Sequence, residues 1–304
     1  MSEQNLFAPV TREKMKLRLA LAGVSGGGKS LGALYIAYGI TDDWSKIAYI
    51  DTERERGRAY ADRSDLPTPT GSFLYASLYA PYTPERYKEY VQQAAAAVGP
   101  DGVVIVDSLS HAWNNEGGVL DIKDQIASRA GKNSYTAWNE AGKEQNGLIN
   151  YIFSVNCHVI ATLRVKTEYA LELNERGKQQ PVKLGLAPVQ RDDTEYEFDI
   201  VLNIGRNHIA TTSKDVTFLD GFGAVITPEL GKELHDWLSN GKEPDIHYCT
   251  DCGQRIRDTS KATAAQWVEA TVKKFGRELC SKCSSAAVKA QKEADAESAG
   301  KDAI

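Results

Sequence analysis

The stretch Gly23-Val24-Ser25-Gly26-Gly27-Gly28-Lys29-Ser30 fits the pattern GxxxxGK[ST], and no other feature constrains the chain as much. Ahead of it runs Leu17-Arg18-Leu19-Ala20-Leu21-Ala22, an apolar run of strand length, and behind it Ser30 to Tyr38 reads as a helix. In that setting a glycine-rich loop winds tightly enough to turn successive backbone N–H groups toward one anion, and the helix N-terminus adds its partial positive charge. Gly23, Ser25, Gly26, Gly27 and Gly28 would cradle the phosphates of a nucleotide. Lys29 would reach the β and γ phosphates, and Ser30 would offer its hydroxyl to Mg²⁺.

The rest of the chain to about Leu238 repeats the alternation of short apolar runs with helical stretches, which predicts an α/β domain with a mostly parallel sheet. Ile47–Ile50, Phe73–Leu78, Val103–Val106 and His158–Leu163 read as strands, and Pro84–Val98 as a helix stopped by Gly99-Pro100. The run Val103–Val106 is apolar throughout, as in a strand buried on both faces, and Asp107 follows it, where a carboxylate would hold the metal. Glu53 follows the second strand and would sit at the carboxyl edge of the sheet, placed to orient a water. Phe198–Ile204, Ile209–Thr212 and Val216–Leu219 look antiparallel, and Pro228–Leu238 is a last helix.

Composition narrows the classes. The chain has 304 residues, 42% of them hydrophobic and 25% charged, so a large core can be buried and a disordered or fibrous chain is excluded. The net charge of −5 argues against indiscriminate coating of nucleic acid. Nothing approaches the ~20 apolar residues that span a bilayer. Met1 to Val10 lacks a basic segment followed by an apolar one, so a cytoplasmic chain with no membrane partner is expected. Cys249-Thr250-Asp251-Cys252 and Cys280-Ser281-Lys282-Cys283 form two CxxC pairs whose thiolates would give Zn²⁺ a tetrahedral shell, with a helix at Ala264–Phe275 between them. The expected organisation is a core over 1–240, a linker over 241–248, a zinc-binding module over 249–292 and a flexible tail over 293–304.

With these stretches in view, the chain resembles the RecA-like P-loop ATPases, and among them the phage ATPases of single-strand annealing and recombination. Ile50-Asp51-Thr52-Glu53, Val106-Asp107-Ser108 and Thr162-Leu163-Arg164-Val165-Lys166 carry the likeness, together with Ala187–Arg191 and Tyr196–Asp199. Thr162 stands where that family has a glutamine. The resemblance implies a RecA-like core that binds and hydrolyses ATP with Mg²⁺, with Lys29, Glu53 and Asp107 catalytic. It also implies a homo-oligomer in which a basic residue of a neighbouring subunit meets the γ phosphate, Lys214 by order of strands and Arg191 as a second candidate.

Two loops of that family hold single-stranded DNA, and the likeness puts them at about Asn114–Tyr135 and Thr167–Asp193. Lys132, Tyr135, Arg164, Lys166, Lys183 and Arg191 are the expected DNA contacts, with a single-strand binding or replication protein as a further partner. A phage-encoded chain would work in the host cytoplasm. Two other readings stay open: a nucleotide or small-molecule kinase with a lid at Arg54–Arg63, and a slow nucleotide-dependent recruitment module.

Overall fold

The computed structural model describes residues 9–129, 131, 133–173, 179–259 and 262–301, with the backbone alone for 167–173, 179–186 and 292–301. The chain forms two compact units, 1–153 with 157–242 and 154–156 with 243–304.

The first unit is built on one sheet in the order β3-β2-β4-β5-β1-β7-β8-β9. Its parallel part comprises β1 (Arg18–Gly23), β2 (Ile47–Asp51), β3 (Leu74–Ser77), β4 (Val103–Asp107), the first half of β5 (His158–Leu173) and β7 (Ile200–Ile204). β1, β2 and β4 are buried along their whole length, which is why they read as continuous apolar runs rather than alternating ones. One strand, β5, separates the loop-bearing β1 from β4 and its terminal Asp107. Because these strands run parallel, Gly23, Asp51 and Asp107 all end at the same edge of the sheet.

Beyond β7 the sheet turns antiparallel through β8 (Ile209–Asp215) and β9 (Gly223–Val225). The expected strand at Val216–Leu219 is a turn. The Asp215 carboxylate accepts from the backbone N–H of Thr217 at 2.9 Å and of Leu219 at 2.7 Å, which offers the backbone partners that a ladder would otherwise supply.

Both segments expected as DNA-binding loops carry regular structure. The first contains α4 (Val119–Ala127) and the start of α5 (Ser134–Ser154). In the second, β5 continues out of the sheet past Arg164 and pairs antiparallel with β6 (Gln179–Pro188). The alternation of Val165, Thr167, Tyr169 and Leu171 with Lys166, Glu168 and Glu172 is a strand signal that accounts for this arm.

Helix α1 (Lys29–Thr41) is buried on nearly every side, because it lies among the sheet residues and α6 (Pro228–Ser239) in one core; α2 (Pro84–Val98) packs beside β2 and β4. The α1–α6 contact is set by two glycines. A Cβ at Gly39 would lie 2.0 Å from the Pro228 carbonyl oxygen, and one at Gly231 2.3 Å from that of Ile36. Among the described residues no helix is long and apolar enough to cross a membrane.

In the second unit Tyr248 bridges Arg255 and Val155 bridges Gln254, ahead of α7 (Ala264–Phe275) and α8 (Ser281–Lys301). The expected linker 241–248 does not stand apart. Lys242 accepts from Lys14 N at 2.9 Å within the first unit, while the His247 carbonyl accepts from Ile256 N at 2.8 Å within the second. The backbone of the expected tail continues α8 to Lys301.

Gly39→Ala is expected to destabilise the protein by about 1–3 kcal/mol, since backbone on both sides must move apart to admit one methyl group. A thermal denaturation midpoint equal to that of the wild type would show that the α1–α6 approach is looser than described.

Candidate nucleotide and metal sites

The phosphate loop takes its shape from glycines where no side chain is tolerated. Gly26 (φ 74°) and Gly28 (φ 99°) are left-handed, and a Cβ at Gly23 would stand 2.6 Å from the Ile204 carbonyl oxygen on β7. Ser25 lies exposed on the loop. Gly28 caps α1 with no side chain bonded to the helix start, so the first turn presents its N–H groups to an incoming anion. The Lys29 ammonium donates to the carbonyls of Gly23 at 2.9 Å and Val24 at 3.0 Å. Burial lowers its pKa, opposed by the nearby negative charge of Asp107 and Glu53.

Asp107 gathers three hydroxyl groups from three other elements. Ser30 Oγ donates to Oδ2 at 2.5 Å, Tyr49 OH donates to the same oxygen, and Thr162 Oγ1 donates to Oδ1. Burial and the adjacent carboxylate hold the Tyr49 phenol well above its usual pKa, so it stays a donor. A hydroxyl and a carboxylate meeting beside a phosphate cradle are hard oxygen donors of the kind Mg²⁺ takes. Ser30 and Asp107 therefore fit the metal that the motif implies. Tyr49 is not legible as a site residue from sequence. It stands diagonally across from Asp107 on the paired strands, an adjacency that appears only once Tyr49 is registered with Ile105.

Glu53 lies just past β2, in a turn shaped by Asp51. The Asp51 carboxylate accepts from Glu53 N at 2.5 Å, Gly57 N at 2.7 Å and Tyr75 OH at 2.7 Å. Glu53 is gripped by Arg164 of β5, whose Nε donates to Oε1 at 2.7 Å while an Nη donates to Oε2. Burial pushes the Glu53 pKa up, but the Arg164 hydrogen bonds and charge outweigh it, and the net shift is downward. His111 Nε2 lies 3.9 Å from Glu53, and its Nδ1 is 2.6 Å from the Thr52 hydroxyl. Burial and the Arg164 charge lower the His111 pKa, which keeps the ring neutral at pH 7. The Arg54–Arg63 segment, a lid in the kinase reading, is this turn plus a 3-10 helix at Arg56–Tyr60.

The structure thus brings Lys29, Ser30, Glu53, Asp107, Thr162 and Arg164 to one edge, whereas the other expected residues are dispersed. Tyr135 is 77% exposed on α5, Lys166 is exposed, and Arg191 donates to Asn146 Oδ1 at 2.8 Å. Lys132 and the Lys183 side chain lie outside the described residues. Lys214 pairs with Val201, whereas Ala210 of the same strand pairs with Ile204 beside Gly23. That leaves it roughly 10 Å down the strands from its own loop, at ~3.3 Å per residue, with its ammonium on the Tyr196 carbonyl. His208 instead meets the loop, its Nδ1 3.0 Å from the Gly27 oxygen. With 181 positions between the two residues, no sequence pattern announces that contact.

A phosphate cradle, a hydroxyl–carboxylate pair that fits a metal and a separate carboxylate at one sheet edge define a P-loop nucleotide-binding domain of the ATPase type. The family model described as AAA domain matches residues 15–226, more than half of the chain, and the chain belongs to that family. No curated protein matches it significantly.

In the second unit the four thiols of Cys249, Cys252, Cys280 and Cys283 lie within 4.8 Å of one another. They sit beside a small core of Ile256, Val268 and Leu279, with Trp267 Nε1 donating to the Leu279 carbonyl at 2.8 Å. Burial raises Cys252 to about 11, whereas at Cys249 backbone N–H donors outweigh burial and lower the pKa. A dication among them would favour all four thiolates at once, and four sulfurs suit Zn²⁺. Cys157 belongs elsewhere: it is buried, and burial raises its thiol to about 11.

Purified protein is expected to carry about one zinc ion per chain, by elemental analysis. Cys280→Ser should abolish it and expose Trp267, seen as a red shift in tryptophan emission. Full-strength folding of metal-stripped protein would rule out a structural zinc.

Proposed function

We propose that the protein hydrolyses ATP through a RecA-like catalytic arrangement and acts on single-stranded DNA during annealing or recombination, as in the phage ATPases it resembles. The observation that carries this reading is a division between two carboxylates. Asp107 is bonded to the metal-binding Ser30, and Glu53, on the next strand but with its own partners, is left for another task. In a phosphotransferase the same carboxylate would instead take the proton of an acceptor hydroxyl.

In this reading the loop N–H groups and Lys29 hold the β and γ phosphates. Ser30 and Asp107 would hold Mg²⁺, which when bound would neutralise phosphate charge, while Tyr49 and Thr162 fix the Asp107 carboxylate. Glu53, ionised because its pKa is lowered, orients a water and takes its proton as the water oxygen attacks the γ phosphorus. ADP leaves with the bridging oxygen, and inorganic phosphate is the second product.

The DNA reading is supported by the resemblance and by one surface. Trp113 and Trp138 stack at 6.0 Å, Lys123 lies 5.4 Å over Trp138, and Tyr135 is exposed nearby in sequence. Aromatic faces among cations suit single strands. Lys214 or Arg191 would then complete a neighbouring subunit's site in an oligomer, and the cysteine unit would recruit a single-strand binding or replication protein.

Glu53→Gln is expected to cut ATP turnover by about 10²–10⁴-fold while a fluorescent ATP analogue still binds with wild-type affinity. The wild-type rate should stay flat from pH 8 to 6 on account of Glu53, since its pKa lies below the ordinary glutamate value of 4.5. A Glu53→Gln variant that hydrolyses ATP at the wild-type rate would defeat this assignment.

A further inference from the structure

Helix α5 and the segment that follows β6 enclose a cavity of about 270 Å³. Gln145, Asn146, Ile149 and Asn150 line it from one face of α5, and Arg191 to Thr194 with Glu197 line it from the other side. Gln145 is its buried floor, at 1% exposure, and a chain of hydrogen bonds fixes which end of its amide points where. Gln190, also buried, meets the Leu109 carbonyl at 3.4 Å and the Arg191 backbone N–H at 2.9 Å, so its nitrogen must face the first and its oxygen the second. That oxygen also accepts from Gln145 Nε2 at 2.9 Å. Gln145 Oε1 is thereby left without a hydrogen-bond partner among the described residues. An orphaned acceptor at this depth is uncommon in folded proteins, and only an N–H or O–H donor can satisfy it.

The charge around the cavity selects the donor. Asp192, Asp193 and Glu197 are exposed at its rim beside one cation, Arg191, which donates to Asn146 Oδ1 at 2.8 Å. Among the described residues no Lys, Arg or His lies within ion-pair distance of the three carboxylates. They are too widely spaced to share a metal ion, because among the described residues the cysteine quartet is the only group of three or more such ligands drawn together. A phosphate would be repelled. We propose that this cavity binds an organic cation, a guanidinium or alkylammonium group, which donates to Gln145 Oε1 at the floor while Asp192, Asp193 and Glu197 balance its charge at the rim. Ile149 offers an apolar surface to the methylene stem that carries such a group. A free small amine and a Lys or Arg side chain of a second copy of this chain present the same chemistry. The site stands apart from the hydrolytic reading of Glu53, none of whose residues line it.

Calorimetric titration of the full-length protein with agmatine, which carries a guanidinium at one end and an ammonium at the other, reads the site directly, with uncharged 1,4-butanediol as the blank. Agmatine is expected to bind at one site per chain and the diol not at all. Gln145→Met keeps the side chain's size and removes the floor acceptor, and should weaken agmatine by about tenfold or more, as for a lost hydrogen bond to a charged group. Asp192→Asn with Asp193→Asn leaves the buried residues untouched, and asparagine tolerates the left-handed backbone of Asp193 (φ 72°). This pair should weaken agmatine by about fivefold or more through lost rim charge, so the outcome does not hang on the folding of the Gln145 variant. Sedimentation with and without agmatine separates the two sources. Assemblies that dissociate as agmatine is added place a side chain of a second copy in the cavity, and unchanged sedimentation with agmatine bound places a free amine there. No heat from agmatine beyond that from the diol, or wild-type agmatine affinity in the Asp192/Asp193 double variant, would overturn the proposal.

Discussion

The buried carboxylate of Asp107 is the constraint on which the first unit is organised. A charge at 3% exposure is tolerable only if donors surround it, and here the donors come from three directions: Ser30 on α1, Tyr49 on β2 and Thr162 on β5. Because each hydroxyl belongs to a different element, satisfying the carboxylate fixes the phosphate loop's helix, the neighbouring strand and the separating strand relative to β4. The same contacts prepare the chemistry. An oxygen pair that is already preorganised on the protein needs little rearrangement when a metal and a phosphate arrive.

On the adjacent strand a second carboxylate, Asp51, has the complementary structural role. It accepts three donors, bends the chain after β2 and so determines where Glu53, Arg54 and Arg56 emerge. Glu53, by contrast, is partnered by the half-exposed arginine Arg164. That contrast separates a carboxylate enclosed by three hydroxyl groups of the fold from one paired with an exposed side chain. Thr162, where the family the chain resembles has a glutamine, is bonded to Asp107, and Arg164, two positions further along β5, is bonded to Glu53.

Much of this is legible in the amino-acid sequence, for identifiable reasons. The loop at Gly23–Ser30 and the strand ending in Asp107 are local patterns, and helices such as Pro84–Val98 and Ala264–Phe275 carry their own start and stop signals. The cysteine quartet is legible because ligand spacing is a strict geometric demand. What escapes depends on register and on long-range contact. Tyr49 looks like any strand residue until it is set diagonal to Asp107, and His208 meets Gly27 across nearly the whole domain. Arg164 reads as a DNA contact, and its grip on Glu53 is invisible between residues 111 positions apart. The family likeness makes a loop of the β5–β6 arm, although the arm's own alternation marks it as strands.

On this reading Lys29, Ser30 and Asp107 would hold a metal-bound ATP whose γ phosphate is hydrolysed. The most direct measurement is phosphate release from ATP by purified protein with Mg²⁺, beside the same assay in a metal-chelating buffer and with Lys29→Ala. Release is expected to require Mg²⁺ and to disappear in Lys29→Ala. Release that continues undiminished in that variant, or none from the wild type under any condition with single-stranded DNA present, would contradict it.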